Sequence, residues 1–220
     1  MSEKLILKAE KVVLQGQTPL LPFNLELRAG QGALVLARDL DLLRGLMKCC
    51  LGLENPVRGQ LSWWDGRGPG PDRNWDLYDF YRHIGYVDRQ SQLLGGLRLR
   101  EHFLLFSRYA RHDDVLEESD RLLSLFGLTS YLDYTGEDLP EPQRRLALYA
   151  LAFCRRPLLL LMERPVQFLD QDFQLVWRLV LKRAAEFGMA YAVFDRNENI
   201  YASERFEAIV RVGLASKDPV

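Results

Sequence analysis

ALVLARDLDLLRGLMKCC, residues 33–50, decides the fold because it joins a continuous apolar run to a segment with helical spacing. The run GALVLA (32–37) is typical of a buried central strand, and apolar residues recur at helical spacing from about Asp41 to Leu53. A glycine-rich phosphate-binding loop is expected between such a strand and such a helix. This turn, however, has no glycine before Gly45 and no lysine before Lys48.

The segments around this stretch predict an α/β protein. KLILKAEKVVL (4–14) and FNLELRAGQ (23–31) alternate in the manner of strands at one edge of a sheet, and two helices are predicted between Leu97 and Leu132. The later elements follow in the order helix, strand, helix, strand, over residues 141–156, 158–163, 173–188 and 190–195. This alternation indicates a parallel sheet.

Composition narrows the range of partners and compartments. Of 220 residues, 48% are hydrophobic, and 29 Lys and Arg nearly balance 30 Asp and Glu, so no overall field favours nucleic acid. Neither a run of 18 apolar residues nor a secretory signal is found, so the chain is expected in the cytosol. The three cysteines lack disulfide or metal spacing and are predicted to be core residues. The dispersed His83, His102 and His112 are expected to be surface or hydrogen-bonded residues, with no metal site.

Several stretches in a fixed order carry a family resemblance. They are LRAGQGALVLA (27–37), LMKCCLGLENPVRGQLSWWDG (46–66), HIGYVDRQSQLL (83–94), DLPEPQRRLALYALAFCRRPLLLLMERPVQFLD (138–170) and FEAIVRVG (206–213). Their order resembles the ATP-binding subunit of ABC transporters over essentially the whole chain. The resemblance implies a P-loop NTPase-like (ABC ATPase) core sheet with an antiparallel β subdomain and a helical subdomain. It divides the chain into residues 1–90 (β subdomain and first half of the core), 91–142 (helical subdomain) and 143–220 (second half of the core).

The first nucleotide motif of that family departs from its pattern here. The loop GxxxxGK[ST] turns backbone N–H groups onto phosphates, while its lysine neutralises their charge and its hydroxyl holds Mg²⁺. The resemblance places Ala37 and Leu42 at the two glycines, Leu43 at the lysine and Arg44 at the serine. We therefore expect an ordinary strand-to-helix turn, with a phosphate site built on Arg38 and Arg44 as the alternative.

The remaining nucleotide motifs also depart from the family pattern. Glu163 takes the Walker B aspartate position and Arg164 that of the catalytic carboxylate, and a guanidinium cannot act as a general base. LPEPQ replaces the LSGGQ signature, with Leu139, Pro140, Glu141, Pro142 and Gln143 at its five positions. Arg89 and Gln90 stand at the Q-loop, Asp195 or Arg196 at the switch histidine, and Leu169 and Asp170 match the D-loop pair.

The resemblance also predicts contacts. The Mg²⁺-binding serine and the Walker B aspartate face one ion in the family fold, so Arg44 and Glu163 are expected to form a salt bridge. Arg164 is expected to pair with Asp39, Asp41 or Asp195, because an unpaired charge in a cleft is costly.

Two main functions are consistent with these residues. The first is a catalytically inactive ABC ATPase-like subunit, without a cofactor, that acts as scaffold or regulator of a membrane transporter. The alternative is an active ATP-hydrolysing subunit with atypical motifs that uses ATP and Mg²⁺, and a third and weaker option is a regulator without a permease. The resemblance implies an integral-membrane permease as partner, a homodimer or a heterodimer with another ABC ATPase subunit, and a location on the cytoplasmic face of the membrane. The groove from Arg89 to Phe106 is expected to contact the permease, through Arg89, Gln90, Leu94, Leu97 and Phe103.

Overall fold

The computed structural model describes residues 4–14, 22–64, 83–108, 115–166, 171–202 and 204–213. Two sheets carry the architecture of this part of the chain, one antiparallel with three strands and one parallel with five.

The antiparallel sheet consists of β1 (Leu5–Val13), β2 (Phe23–Arg28) and β4 (Arg58–Trp63), in the order β2-β1-β4. β1 is therefore the middle strand of this sheet, which is separate from the parallel one, and it pairs with both β2 and β4. Its predicted place at the edge of a sheet is wrong. The pairing of β1 with β4 is irregular between Glu10 and Val13. Gly59 lies at this irregularity with a φ of +84°, and a Cβ there would approach the Lys11 carbonyl oxygen to 2.3 Å.

The parallel sheet contains β3 (Gly32–Leu36), β5 (Ile84–Val87), β6 (Leu159–Glu163), β7 (Ala190–Asp195) and β8 (Ala208–Arg211). Its order is β5-β6-β7-β3-β8, so β6, β7 and β3 are neighbours in the centre. Every residue of these three strands is buried, which confirms the central strand predicted from GALVLA. Because the strands are parallel, their carboxyl ends meet at one edge of the sheet.

Five α-helices accompany the sheets in the described part of the chain. They are α1 (Leu40–Cys50), α2 (Leu99–Arg108), α3 (Val115–Leu125), α4 (Glu141–Cys154) and α5 (Gln171–Glu186). Short 3₁₀ helices span Thr129–Tyr131 and Glu198–Tyr201. Within the described ranges, none of the helices combines the length and apolar character needed to span a bilayer.

The buried apolar residues form two clusters on opposite faces of the parallel sheet. One joins the sheet to α2, α3, α4 and α5, and the other joins it to α1 and the antiparallel sheet. Cys49, Cys50 and Cys154 are free and buried, which confirms their predicted place in the core. Burial raises the pKa of the Cys154 thiol to about 12, so it stays protonated at neutral pH.

Candidate functional site

The carboxyl ends of β3, β6 and β7 bring together residues that are far apart in the sequence. Leu36, Glu163 and Asp195 end these three strands. Backbone hydrogen bonds continue just past the strand ends. Ala37 N donates to the Asp195 carbonyl oxygen at 3.2 Å, and Arg164 N donates to the Phe194 carbonyl oxygen at 3.0 Å. In open α/β sheets, ligands bind outside this edge, so it is the candidate site.

The amino end of α1 at this edge is capped by the chain's own carboxylate. Asp39 Oδ1 accepts hydrogen bonds from Asp41 N at 2.8 Å and Leu42 N at 3.4 Å, and Leu43 N donates to the Asp39 carbonyl at 3.2 Å. Free N–H groups at a helix start are the donors that would bind an anion. Here the donors of residues 41–43 are used within the turn.

The apolar side chains at the first motif lie in the core. Ala37, Leu42 and Leu43 are buried in the cluster beneath the antiparallel sheet, and Leu43 is 0% exposed. The side chain at the lysine position is therefore enclosed in the apolar core. Replacing that side chain alone would place a new group in apolar surroundings.

Arg44 and Glu163 form the predicted salt bridge. Arg44 Nε lies 3.2 Å from Glu163 Oε1, and the Glu163 side chain is only 2% exposed while that of Arg44 is 30% exposed. Glu163 Oε2 accepts a second hydrogen bond, at 3.2 Å, from the backbone N of Arg89. Both carboxylate oxygens are thus engaged, and the contact joins α1, the end of β6 and the loop after β5.

Arg145 is a further member of this network, and it was not predicted from the sequence. This buried side chain of α4 donates through Nη1 to the Asp88 carbonyl at 2.6 Å and through Nη2 to the Glu163 carbonyl at 3.5 Å. Its guanidinium also lies 5.6 Å from the centre of the Tyr149 ring. The available signal was a charged residue on the apolar face of a helix, where burial requires partners.

The predicted pairing of Arg164 is wrong. Its Nε is buried without a hydrogen-bond partner, and in the described ranges no salt bridge joins it to Asp39, Asp41 or Asp195. Asp195 is already satisfied, because it accepts from Tyr201 Oη at 2.7 Å and from Arg196 N at 2.6 Å. Burial, followed by the Asp195 charge, raises the pKa of Tyr201 well above its usual value and keeps this phenol a donor.

The signature positions form the start of α4. Leu139 is buried in the core, Pro140 precedes the helix, and Pro142 lies in its first turn, where a proline has no N–H to offer. Arg144 folds over this helix end, donating to the Leu139 carbonyl at 2.8 Å and to Glu141 Oε2 at 3.2 Å. A guanidinium and two prolines thus stand at the end of a helix that would otherwise attract anions.

The predicted partner-binding residues divide into exposed and buried positions. Arg89 and Gln90 are exposed, Leu94 is 58% exposed, and Leu97 is partly buried. Phe103 is wrong as a contact residue, because it is 4% exposed and packs in the core.

The loop that carries Leu94 is held by a histidine. His102 accepts a hydrogen bond from Leu94 N at Nε2, at 2.9 Å, and its Nδ1 lies 3.0 Å from the Arg98 carbonyl. This buried histidine is therefore hydrogen-bonded, as predicted. The described ranges contain no group of acidic, histidine or cysteine side chains suited to a metal ion. His112, Leu169 and Asp170 lie outside the described residues.

Comparison with known sequences identifies proteins to which this chain is similar. No protein-family profile matches the chain. It is 31% identical over 147 residues to the cytochrome c biogenesis ATP-binding export protein CcmA of Bordetella bronchiseptica, covering 64% of this chain and 62% of that protein. It is 30% identical over 153 residues to the molybdenum import ATP-binding protein ModC 2 of Azotobacter vinelandii, covering 67% and 40%. The match thus spans about three fifths or less of these relatives' own length.

Solved structures show the same architecture. An ATP-binding subunit of an ABC transporter superposes with a TM-score of 0.80 over 94% of this chain and 85% of its own, at 16% identity. A dimeric bacterial ABC transporter cassette superposes with a TM-score of 0.76 over 94% of both chains, at 17% identity. The α/β fold is thus that of the ABC ATPase cassette, as predicted. In sequence, the chain is similar to the ATP-binding subunits of ABC transporters.

Proposed function

We propose that this chain is a cassette subunit of an ABC-type membrane transporter that neither binds Mg·ATP productively nor hydrolyses ATP, and that serves as a scaffold or regulator. The observation that carries the proposal is the salt bridge of 3.2 Å between Arg44 and the buried Glu163. A guanidinium there supplies the positive charge that Mg²⁺ would supply, and Arg89 N engages the second carboxylate oxygen. A metal ion would have to displace both donors.

The electrostatics of the remaining motif positions support the same proposal. Phosphoryl transfer depends on positioned donors, a metal ion and a group that orients the attacking water. The Asp39 carboxylate uses the N–H groups at the start of α1, Leu43 is buried, and Arg164 offers no basic lone pair. Each of these features removes stabilisation of the developing charge.

The alternative, an active ATPase with atypical motifs, is favoured by one observation. Both curated relatives described above are named ATP-binding proteins. Under this alternative, Arg38, Arg44 or Arg164 would contact the phosphates, and the Arg44–Glu163 contact would open when Mg·ATP binds.

Phosphate release and calorimetry with Mg·ATP separate the two proposals. We expect the purified chain to release no phosphate above a protein-free blank and to give no saturable heat, and we expect Arg164→Gln to be indistinguishable from it. A competent ABC cassette assayed in parallel controls for the reagents. Phosphate release that disappears in Arg44→Met or Glu163→Gln would instead establish the active alternative.

The transporter partner follows from the same homology and is proposed to be an integral-membrane permease at the cytoplasmic side. The loop after β5 presents the exposed Leu94 beside the partly buried Leu97, and His102 fixes its backbone. An ordered apolar projection of this kind suits insertion against a permease.

Co-purification from detergent extracts tests the permease contact. Leu94→Ser should reduce recovery of the permease, while Leu53→Ser, which alters a similarly exposed leucine after α1, should not. Equal recovery with both variants would refute the contact. The paired subunit is proposed to be a second copy or another ABC ATPase chain, and crosslinking of the same extracts distinguishes these.

A further inference from the structure

The two hydrogen bonds of His102 define the protonation state of its ring. This residue of α2 is 2% exposed, with Nε2 at 2.9 Å from Leu94 N and Nδ1 at 3.0 Å from the Arg98 carbonyl oxygen. A carbonyl oxygen can only accept a hydrogen bond, so Nδ1 carries a proton, and a backbone N–H can only donate, so Nε2 carries none. The observed contacts therefore require a neutral ring in one tautomer.

The backbone N–H of Leu94 depends on this ring for its hydrogen-bond partner. His102 Nε2 is the acceptor that the described structure gives it. The other end of the loop is fixed without the histidine, because Leu97 N donates to the Leu94 carbonyl at 3.1 Å and Gly136 N donates to the Leu97 carbonyl at 3.1 Å. A change in the ring therefore acts on the position of Leu94 first.

Protonation of the ring would place a second donor opposite the Leu94 N–H. Both nitrogens of an imidazolium are donors, so Nε2 could no longer accept from Leu94 N. Two facing N–H groups without an acceptor are unfavourable in a buried place, and the backbone at Leu94 has to move before water can reach them. Histidine is the side chain that ordinarily changes charge near neutral pH, so a modest acidification is the relevant perturbation.

The charged groups around His102 have other partners. On α2 itself, Glu101 accepts from Arg98 N at 2.7 Å, and Arg100 pairs with Asp133. The charged groups on the segments that pack against α2 include Glu137 against Gly95, Asp138 with Thr135, Glu118 of α3 with Arg156, and Arg145 of α4 with the Asp88 carbonyl. In the part of the chain that the structure describes, no carboxylate binds the ring, so protonation gains no ion pair while Leu94 stays in place.

We propose that His102 is a pH-sensitive switch for the loop of residues 91–97, in which the neutral ring holds Leu94 in place and the protonated ring releases it. Release would displace the exposed leucine that is assigned above to the permease, so acidification at the cytoplasmic side would weaken that contact. This consequence rests on the proposed function. The switch itself is a property of the isolated chain and is measured without a permease.

Amide hydrogen exchange of the isolated chain, followed by NMR at about pH 7.5 and about pH 5.5, tests the switch. After correction for the chemical exchange rate, protection of the Leu94 N–H should fall at least about tenfold at the lower pH, which is the scale of one hydrogen bond between buried groups. The ¹⁵N shifts of the His102 ring should change together from the Nδ1-protonated tautomer to the imidazolium. Val193, at the centre of the parallel sheet, should keep its protection.

Two histidine variants separate the switch from a general effect of acid. His102→Gln offers a side-chain acceptor that does not titrate, so protection of Leu94 should be the same at both pH values, whether or not the glutamine accepts from Leu94 N. His83→Gln removes the histidine directly before β5 and should keep the pH response of the unmodified chain. The proposal is overturned by equal protection of Leu94 at both pH values in the unmodified chain, by an unchanged pH response in His102→Gln, or by simultaneous loss of protection at Val193.

Recovery of the permease from detergent extracts at the two pH values tests the consequence for the contact. We expect recovery to fall at the lower pH with the unmodified chain but not with His102→Gln. If Leu94→Ser and Leu53→Ser recover the permease equally, the proposed contact is refuted, whereas amide exchange at Leu94 still decides the switch.

Discussion

Replacing Arg44 with methionine should destabilise the fold through the carboxylate that it leaves behind. Arg44→Met keeps much of the aliphatic stem but removes the partner of Glu163, which is 2% exposed and would retain only the Arg89 N–H as a donor. Breaking a buried ion pair from one side costs about 3–5 kcal/mol. Because Arg44 is 30% exposed, solvent screens part of this, and we expect about 2 kcal/mol. For a chain of this length that loss lowers Tm by about 4–8 °C.

Urea unfolding followed by tryptophan fluorescence measures this loss, and a double-mutant cycle isolates the contact. Arg44→Met and Glu163→Gln should be coupled by at least about 1 kcal/mol, and the pair Arg44→Met with Glu163→Met should recover much of the lost stability. Lys48→Met is the control, since it breaks an exposed contact of 2.8 Å to Glu54 and should leave the transition unchanged. The reasoning fails if the two single changes are additive within about 0.5 kcal/mol.

Three further outcomes follow from buried or constrained positions. Leu43→Lys should lower stability by about 3 kcal/mol or more and create no Mg·ATP binding by calorimetry, because the new ammonium would replace a fully buried leucine. Burial raises the pKa of Tyr149 to about 12. Its protonated phenol therefore contributes to the free energy of unfolding in full below pH 10, and this contribution is lost as pH rises towards 12. Tyr149→Phe should flatten this loss in urea unfolding at several pH values, and a pH dependence equal to that of the unchanged chain would contradict it. Gly59→Ala should cost about 2 kcal/mol or more, because its φ is +84° and its Cβ would lie 2.3 Å from the Lys11 oxygen; unchanged unfolding would contradict this.

The parallel sheet was predictable from sequence because its central strands are buried on both faces. β3 is therefore a continuous apolar run, and β6 and β7 are apolar up to their last residues, Glu163 and Asp195; short-range patterns reveal such runs. The place of β1 was not predictable in the same way. An alternating strand has the same pattern whether one or two neighbours bond its backbone, since pairing uses N–H and C=O groups that every residue carries.

At the site, one salt bridge was predicted correctly from the sequence and another was predicted wrongly. Arg44 and Glu163 face each other across adjacent elements of a known fold, so their charges could be paired in advance. Arg164 was expected to pair with a carboxylate, but Asp195 is satisfied by Tyr201, six residues later in a 3₁₀ helix. Competition among donors for one acceptor depends on geometry that residue types do not encode.

Phe103 and Arg145 illustrate the same limit on helices. α2 contains several large apolar residues, and only its packing shows that Phe103 is in the core while Leu104 is 52% exposed. Arg145 was overlooked because basic residues are usually exposed, whereas carbonyl groups of Asp88 and Glu163 make its burial possible.

The Asp39 carboxylate that caps α1 is part of the chain, so it cannot diffuse away from the helix. Asp39 is two residues from the first N–H group that it binds, so an anion from solution competes with a group present at a high effective concentration. Dilution, chelation or a change in nucleotide concentration does not change the effective concentration of the Asp39 carboxylate at these N–H groups. The N–H groups at the start of α1 therefore stay occupied whatever solutes surround the chain.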